Sequence, residues 1–495
     1  MISSYESFVQ LADKGNLVPV WREVLADTET PVSAFLKIKK GPYAFLLESV
    51  TGGEKWGRYS FLGAEPAVVV RGEGQRVTVT RAAGESQSVA DGNPLLLLKQ
   101  ILAEYRPAPV SGLPRFWGGA IGFIGYEAVR FFESVPLSPT PWPDFLFLIP
   151  SNLLIFDNVR HRIMVISNVF LSEGDDRRVA YDRAVAEIEA TLQTLAGPLP
   201  VSSRKTPPQP VAQPTATTSN MTREAFKSAV LAAKEYIRAG DIFQVQISRR
   251  VQTPITVDPI QIYRMLRDIN PSPYIFYLQF GPRCLVGASP EVLVRLEGDQ
   301  VETRPIAGTR RRGASPEEDQ ALAAELLADP KERAEHLMLV DLGRNDVGRI
   351  AAHGTVAVDA FMVVERYSHV MHIVSSVTGR LAPGRGAFDV LAACFPAGTV
   401  TGAPKIRAME IIQTLEPPGG RGVYAGAVGY FGFDGNMDMA IAIRTIVIDG
   451  NTASVQAAAG IVADSDPDLE YEETVNKAKA MLAAIVAAEW AAGTH

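Results

Sequence analysis

Hydrophobic positions along the 495-residue chain change period from stretch to stretch, and each change predicts an element. Residues 67–71 and 77–80 are β-branched runs on either side of Gly72-Glu73-Gly74, the pattern of a hairpin. Residues 153–156 and 162–169 make a second pair around Asp157-Asn158-Val159-Arg160-His161, and 176–195 reads as a helix. Few of these strands are followed by a segment long enough for a helical crossover. The pattern therefore predicts antiparallel rather than doubly wound parallel sheets.

Further along, Phe226, Val230, Ala233 and Ile237 fall at helical spacing, with Thr222 as N-cap and Gly240 as the stop. A strand over 243–250 follows. Ser315-Pro316-Glu317-Glu318 has the form of a capping box and opens a helix to about Ala328. Asp329-Pro330 ends that helix and starts the next, with Glu332 at its third position. A last helix is expected from Pro467 toward Trp490. Strand-like runs fill the intervals at 284–288, 292–296, 374–379, 426–431, 439–448 and 453–459.

One stretch has no period. Residues 197–220 hold six prolines among small polar residues, which fixes an extended backbone and predicts a linker or exposed loop at 201–220. It divides an N-terminal region, 1–200, from a longer region, 221–495. With 47% hydrophobic and 21% charged residues the chain is globular, and its net charge of −7 has the wrong sign for tracking nucleic-acid phosphates. The apolar stretch at 145–156 is too short to span a bilayer and is broken by Pro150, Ser151 and Asn152. The N-terminus shows no signal-peptide pattern. The two cysteines, Cys284 and Cys394, sit in apolar contexts and read as reduced and structural, which suits the cytoplasm.

Several side chains have chemical potential. Glu332 and Glu335 share one helix face, as do Glu470, Glu473 and Lys477. Two such helices suit a hard divalent cation held through oxygen; the plain alternative is a cap and a surface ion pair. The run from Phe395 to Lys405 places two glycines, two threonines and a lysine before a helix. That is either an anion site or a tight turn; it lacks P-loop spacing. The small residues at 426–430 and 457–460 admit a ligand or a close-packed sheet. Arg444 lies within an apolar strand-like run and needs an anion, supplied by a fixed carboxylate or by substrate. His369 and His372 would face opposite sides of a strand, which argues against a two-histidine metal clamp.

Four segments then resemble the chorismate-utilising enzymes: residues 304–309 (RPIAGT), 335–346 (EHLMLVDLGRND), 396–409 (PAGTVTGAPKIRAM) and 466–478 (DPDLEYEETVNKA). The likeness runs in order through nearly all of 222–490. Residues 46–49 (LLES) and 58–63 (RYSFLG) are similar to the large subunits of the anthranilate synthases, one branch of that family. The resemblance implies an α+β fold of two large, mostly antiparallel β-sheets flanked by helices. It implies Mg²⁺-dependent amination of chorismate by ammonia, then loss of pyruvate. Ala307 stands where aminodeoxychorismate synthases have a lysine nucleophile, and Gln244 where isochorismate synthases have a lysine base.

By the same resemblance Glu291 is the general acid, His372 serves the pyruvate-loss step, and Thr399 and Lys477 complete the catalytic set. Gln244, Ala307, Gly308, Thr309, Lys405, Tyr424, Arg444, Ala458, Ala459 and Gly460 are implied as substrate contacts. Glu335 and Glu470 are implied to hold Mg²⁺, with Glu332 and Glu473 in support. Glu48, Ser49, Pro273, Tyr274 and Ile275 resemble a tryptophan feedback site. The family commonly has Gly-Ala-Gly where this chain has Ala458-Ala459-Gly460. Neither cysteine has the setting of an amidotransferase nucleophile, so the chain either uses free ammonia or binds a separate glutamine amidotransferase subunit, and such a subunit is expected. The alternatives are an aminodeoxyisochorismate synthase that stops before pyruvate loss and a non-catalytic tryptophan sensor.

Overall fold

The computed structural model describes residues 4–49, 57–200, 216–367 and 370–493; His369 and positions 201–215 of the proline-rich stretch lie outside them. Two large sheets form the framework. The first runs Leu17–Leu25, Arg162–Phe170, Asn152–Asp157, Tyr59–Ala64, Tyr43–Glu48, Tyr274–Phe280, Arg283–Ser289, Thr445–Asp449, Thr452–Ile461, Gln244–Pro254 and Thr218–Ser219. The second runs Ile306–Arg311, Val370–Arg380, Gln300–Thr303, Val292–Glu297, Met437–Ile441, Ala427–Gly432, Gly119–Ile124, Phe145–Ile149, Val68–Glu73, Arg76–Arg81 and Gly84–Val89. Neighbouring strands pair antiparallel in both. The α+β reading of two antiparallel sheets flanked by helices is the observed architecture. Each sheet takes strands from both sides of the proline-rich stretch, joined where Glu48 pairs with Ile275 and where Gly122 pairs with Gly429.

The period of two along each strand sorts side chains to opposite faces. On the first sheet Phe45 and Phe276 point to the second sheet, where they meet Phe123, Phe147 and Met439 in one core. Their neighbours Leu46 and Tyr277 point the other way, to a second core closed by helix residues such as Phe35, Leu266 and Ile485. A smaller cluster seats helices Arg223–Arg238 and Lys405–Leu415 on the edge of the first sheet.

Local signals placed most elements within a residue or two. Thr222 caps Arg223–Arg238 by accepting from the Ala225 N–H at 3.2 Å, and Gly240 follows at φ +81°. Pro330–Gly348 starts at Asp329 and Pro467–Ala492 at Asp466, each capped by its aspartate. The capping box at Ser315 forms only in half. Ser315 accepts from the Glu318 N–H, but the Glu318 carboxylate turns to the Ala314 N–H at 2.6 Å, drawn by Arg311.

The run at 439–448 differs more. It is two strands in two sheets: Met437–Ile441 ends in the second and Thr445–Asp449 begins in the first. The chain crosses between them at 442–444, with Arg444 left-handed at φ +50°. No glycine or proline marks the crossing, so periodicity reads straight through it.

Gly122 and Gly429, paired at the seam, each let the backbone of the strand on their other side approach closely. A Cβ on Gly122 would lie 1.9 Å from the Leu146 carbonyl oxygen, a contact neither strand can relieve alone. Gly122→Ala is expected to cost about 1–3 kcal/mol in urea denaturation. An unchanged midpoint and slope would contradict this packing.

Candidate active site

A second crossing between the sheets lies beside the first. Arg283–Ser289 belongs to the first sheet and Val292–Glu297 to the second, so the chain passes over at Pro290-Glu291. The two crossings are tied together. The Ser289 hydroxyl donates to the Ile441 carbonyl at 2.7 Å, the Ile441 N–H to the Glu291 carbonyl at 3.0 Å, and the Ala288 N–H to the Arg444 carbonyl at 3.1 Å. Glu291 and Arg444 are thereby delivered to one cleft of about 210 Å³.

Strand alternation supplies much of the remaining wall. Gln244 and Gln246 come from one strand, and Gln456 and Ala458 from its neighbour. Ala307 and Thr309 line it from Ile306–Arg311, His372 from Val370–Arg380, and Thr399 from the 3₁₀ turn Gly398–Val400. Glu335 and Lys477 reach in from two helices, and Tyr424 from the loop before Ala427–Gly432. Of the lining residues, Gln246, Ile306, Leu339, Val400, Ile443 and Gln456 were not singled out from the sequence. Gln246 was within reach, because it lies two residues from Gln244 on a strand and so shares its face.

The electrostatics of the cleft are unbalanced. Burial pushes the Glu291 carboxyl up to about 7, against the pull of the Thr399 hydroxyl and the Lys477 ammonium. The Thr399 hydroxyl is near enough to act on that charge but lacks the geometry of a hydrogen bond, which leaves it without a partner. Arg444 is half-buried, and burial lowers its pKa. No carboxylate pairs with it among the described residues, so the fixed counter-ion weighed from the sequence is absent there. His372 is likewise lowered by burial, and the Arg444 charge adds to the effect. Its Nδ1 lies 2.9 Å from the Gly308 carbonyl. A carbonyl only accepts, so Nδ1 carries the proton and Nε2 keeps its lone pair.

The acidic helices meet, but not as a cage. Glu335 is raised by burial and by Glu332 and Glu473, while its Oε1 accepts from Gln244 at 3.2 Å. Glu470 is raised by burial and by Glu473, so both carboxylates stand in the field of Glu473. Glu332 instead pairs with Arg310 at 3.1 Å and Glu473 with Lys477 at 2.5 Å. Among the described residues no three acidic, histidine or cysteine side chains gather as metal ligands.

Other expected contacts fall outside the cleft wall. Lys405 is bound to both Asp346 oxygens at 2.9 Å and to the Cys394 carbonyl at 3.3 Å. Lys405 thus points to Asp346 rather than lining the cleft, where Thr399 and Val400 of that turn are found. Ala459 faces the small core beside helix Arg223–Arg238 rather than the cleft, because alternation turns it away from Ala458. Gly308, at φ +69°, supplies the carbonyl to His372. A Cβ on Gly460 would come within 2.8 Å of the Gln244 and Gln246 amides.

A second cavity, of about 60 Å³, opens between the sheets and brings together Glu48, Ser49, Pro273, Tyr274 and Ile275 with Phe61, Tyr430 and Asp438. Glu48 is held by Arg267 at 3.0 Å and by the Tyr263 hydroxyl. The Tyr274 hydroxyl donates to Asp438 at 2.8 Å, and Asp438 also carries Arg295 and Arg115. Arg115 Nε is buried without a partner.

Residues 43–483 match the family described as chorismate binding enzyme. The chain is 49% identical to "Anthranilate synthase component 1" of Synechocystis sp., over 98% of this chain and 99% of the relative. It is 47% identical to the protein of the same name from Acetivibrio thermocellus, over 96% of each. The crystal structure of anthranilate synthase component I from Streptococcus pneumoniae superposes with a TM-score of 0.77 at 38% identity, covering 93% of this chain and 99% of that one.

A half-buried guanidinium with no fixed counter-ion costs stability that a ligand would restore. Arg444→Met is therefore expected to raise unfolding stability by about 0.5–2 kcal/mol in urea while weakening binding in the cleft. A loss of stability would show that Arg444 has a fixed partner.

Proposed function

The chain belongs to the chorismate binding enzymes, and from that membership we propose that it is the large subunit of an anthranilate synthase. It aminates chorismate at C2 with ammonia, expels the C4 hydroxyl, and then eliminates pyruvate to give anthranilate, the first step toward tryptophan. The observation that carries this reading is Arg444 without a counter-ion, in one cleft with Glu291. Chorismate brings two carboxylates; Arg444 offers a charge to one, and a cation at the acidic helices would meet the other.

In this reading Arg444 and Tyr424 hold the enolpyruvyl carboxylate. Glu291, with a pKa of about 7, keeps a proton to give to the departing hydroxyl. Gln244, unlike lysine, has no basic nitrogen with which to activate water, so ammonia adds instead. Ala307 offers no amine to attack the ring. His372, kept neutral by burial, has Nε2 open to take the C2 proton as pyruvate leaves. Glu335 and Glu470 suit Mg²⁺, because each is a carboxylate raised by burial and by its acidic neighbour. Mg²⁺ typically takes one or two carboxylates and leaves its other positions to water and an anionic substrate. When bound, it would offset the ring carboxylate's charge and polarise the conjugated ring.

Both cysteines are buried, and burial raises their thiol pKa values, which suits neither to amidotransfer. A separate glutamine amidotransferase subunit would supply ammonia. Free buried thiols are ordinary in the cytoplasm, where this reading places the protein; among the described residues no helix is long and apolar enough to cross a membrane.

Tryptophan would occupy the cavity at Ser49 and Tyr274 as feedback inhibitor. Its space of about 60 Å³ is less than half that of the ~150 Å³ cavity known to take up benzene. An indole would have to widen it, and so bias how the two sheets pack.

Two outcomes follow. Chorismate with ammonium and Mg²⁺ is expected to yield fluorescent anthranilate, with kcat/KM at constant free ammonia falling as pH rises through about 7 and Glu291 loses its proton. Untouched chorismate, or an aminated product that keeps its enolpyruvyl group, would contradict the reading. Ser49→Phe is expected to abolish tryptophan inhibition and leave ammonia-dependent turnover within about threefold of the parent. Retained inhibition would place the feedback site elsewhere.

A further inference from the structure

Behind the cleft, and outside its lining, lies Arg421. Its side chain is 2% exposed. Four of its bonds are spoken for by three different elements. Nε donates to Glu416 at 3.0 Å and Nη2 to the same carboxylate at 2.6 Å. Nη1 donates to the Val400 carbonyl at 2.7 Å, and Nη2 also to the Gln246 carbonyl at 2.7 Å. The guanidinium stands 4.9 Å from the Tyr126 ring centroid and 5.7 Å from that of Tyr424. Gln246, Val400 and Tyr424 all line the cleft.

The carboxylate that holds Arg421 extends the same network. Glu416 Oε1 accepts from the Ser248 N–H at 2.7 Å and hydroxyl at 2.8 Å, and Ser248 Oγ accepts from Gln456, another lining residue, at 2.8 Å. From the N-terminal region, buried Glu127 accepts from the Arg421 N–H at 2.6 Å and the Gly422 N–H at 3.0 Å. The loop is shaped for this. Gly420 and Gly422 are left-handed, at φ +65° and +61°, and a Cβ on Gly420 would come within 2.6 Å of the Glu127 carboxylate.

We propose that Arg421, clamped by Glu416 and by Glu127, is the positioning residue of the cleft. One planar fork sets the spacing between the strand of Gln246, the turn of Val400 and the ring of Tyr424. The inference deepens the chorismate reading and rests on it. Arg421 and Glu416 cancel in charge, so the role is geometric. A lysine, with one nitrogen, keeps the charge but not the fork. Glu127 also gives the N-terminal region a part in the site, since its carboxylate orders the loop that carries Tyr424.

The test uses Arg421→Lys and Glu127→Gln in the full-length chain, with chorismate KM and kcat measured at saturating ammonia and the thermal midpoint alongside. A binding wall set out of place removes interactions shared by ground and transition states. Arg421→Lys should therefore raise KM about tenfold with kcat changed less than about threefold, and Glu127→Gln should raise KM about threefold. KM unchanged in both, or kcat falling at constant KM, overturns the proposal. If Arg421→Lys does not fold, Glu127→Gln decides by the same measure. Normal parent turnover with unaltered variants refutes the positioning role alone; no parent turnover refutes the reading beneath it.

Discussion

At several points the chain leaves one sheet for the other; two of these passages, at Pro290-Glu291 and at 442–444, lie side by side, and the rest of the site depends on that. A strand within a sheet has neighbours on both edges and can offer its side chains only to the faces. At a crossing the backbone leaves the ladder, so its side chains can point into the gap between layers. Hydrogen bonds from Ser289, Ile441 and Ala288 lock the crossings to each other. They fix a carboxyl and a guanidinium in one cleft, with a rigidity that loops rarely have.

That placement costs free energy in the protein chain by itself. Arg444 is half-buried without a carboxylate partner, Glu291 is pushed toward neutrality, and Glu335 and Glu470 stand in the field of Glu473. Several other buried charges are matched: Arg421 with Glu416, Lys405 with Asp346, Arg295 with Asp438. In and beside the cleft the imbalance involves groups of both signs, and a dicarboxylate with a divalent cation would reduce it. Binding energy then offsets the cost of holding these groups together.

The sequence disclosed the elements better than their assembly. Thr222, Asp329 and Gly240 act through bonds to near neighbours, so local patterns located their helices. The crossing at 442–444 was invisible, because Ala442 and Ile443 continue an apolar run and only the register of distant strands shows that two sheets are involved. The resemblance named Glu291, His372 and Tyr424, which share the cleft. It could not show that Lys405 is spent on Asp346, since that carboxylate lies on another helix. Nor could it show Arg421, whose meaning comes from carbonyls on two remote segments. Backbone acceptors leave no trace in residue identity.

The central claim is that the raised carboxylates and the unpaired guanidinium form one site that cation and dicarboxylate complete together. Calorimetric titration of Mg²⁺ into the full-length protein, with and without chorismate and across a range of pH, tests it most directly. The account predicts that each ligand tightens the other by the same factor. It also predicts that Mg²⁺ affinity weakens as acid protonates Glu335 and Glu470, with protons released on binding. Independent binding of the two ligands, with Mg²⁺ affinity indifferent to pH, would contradict it.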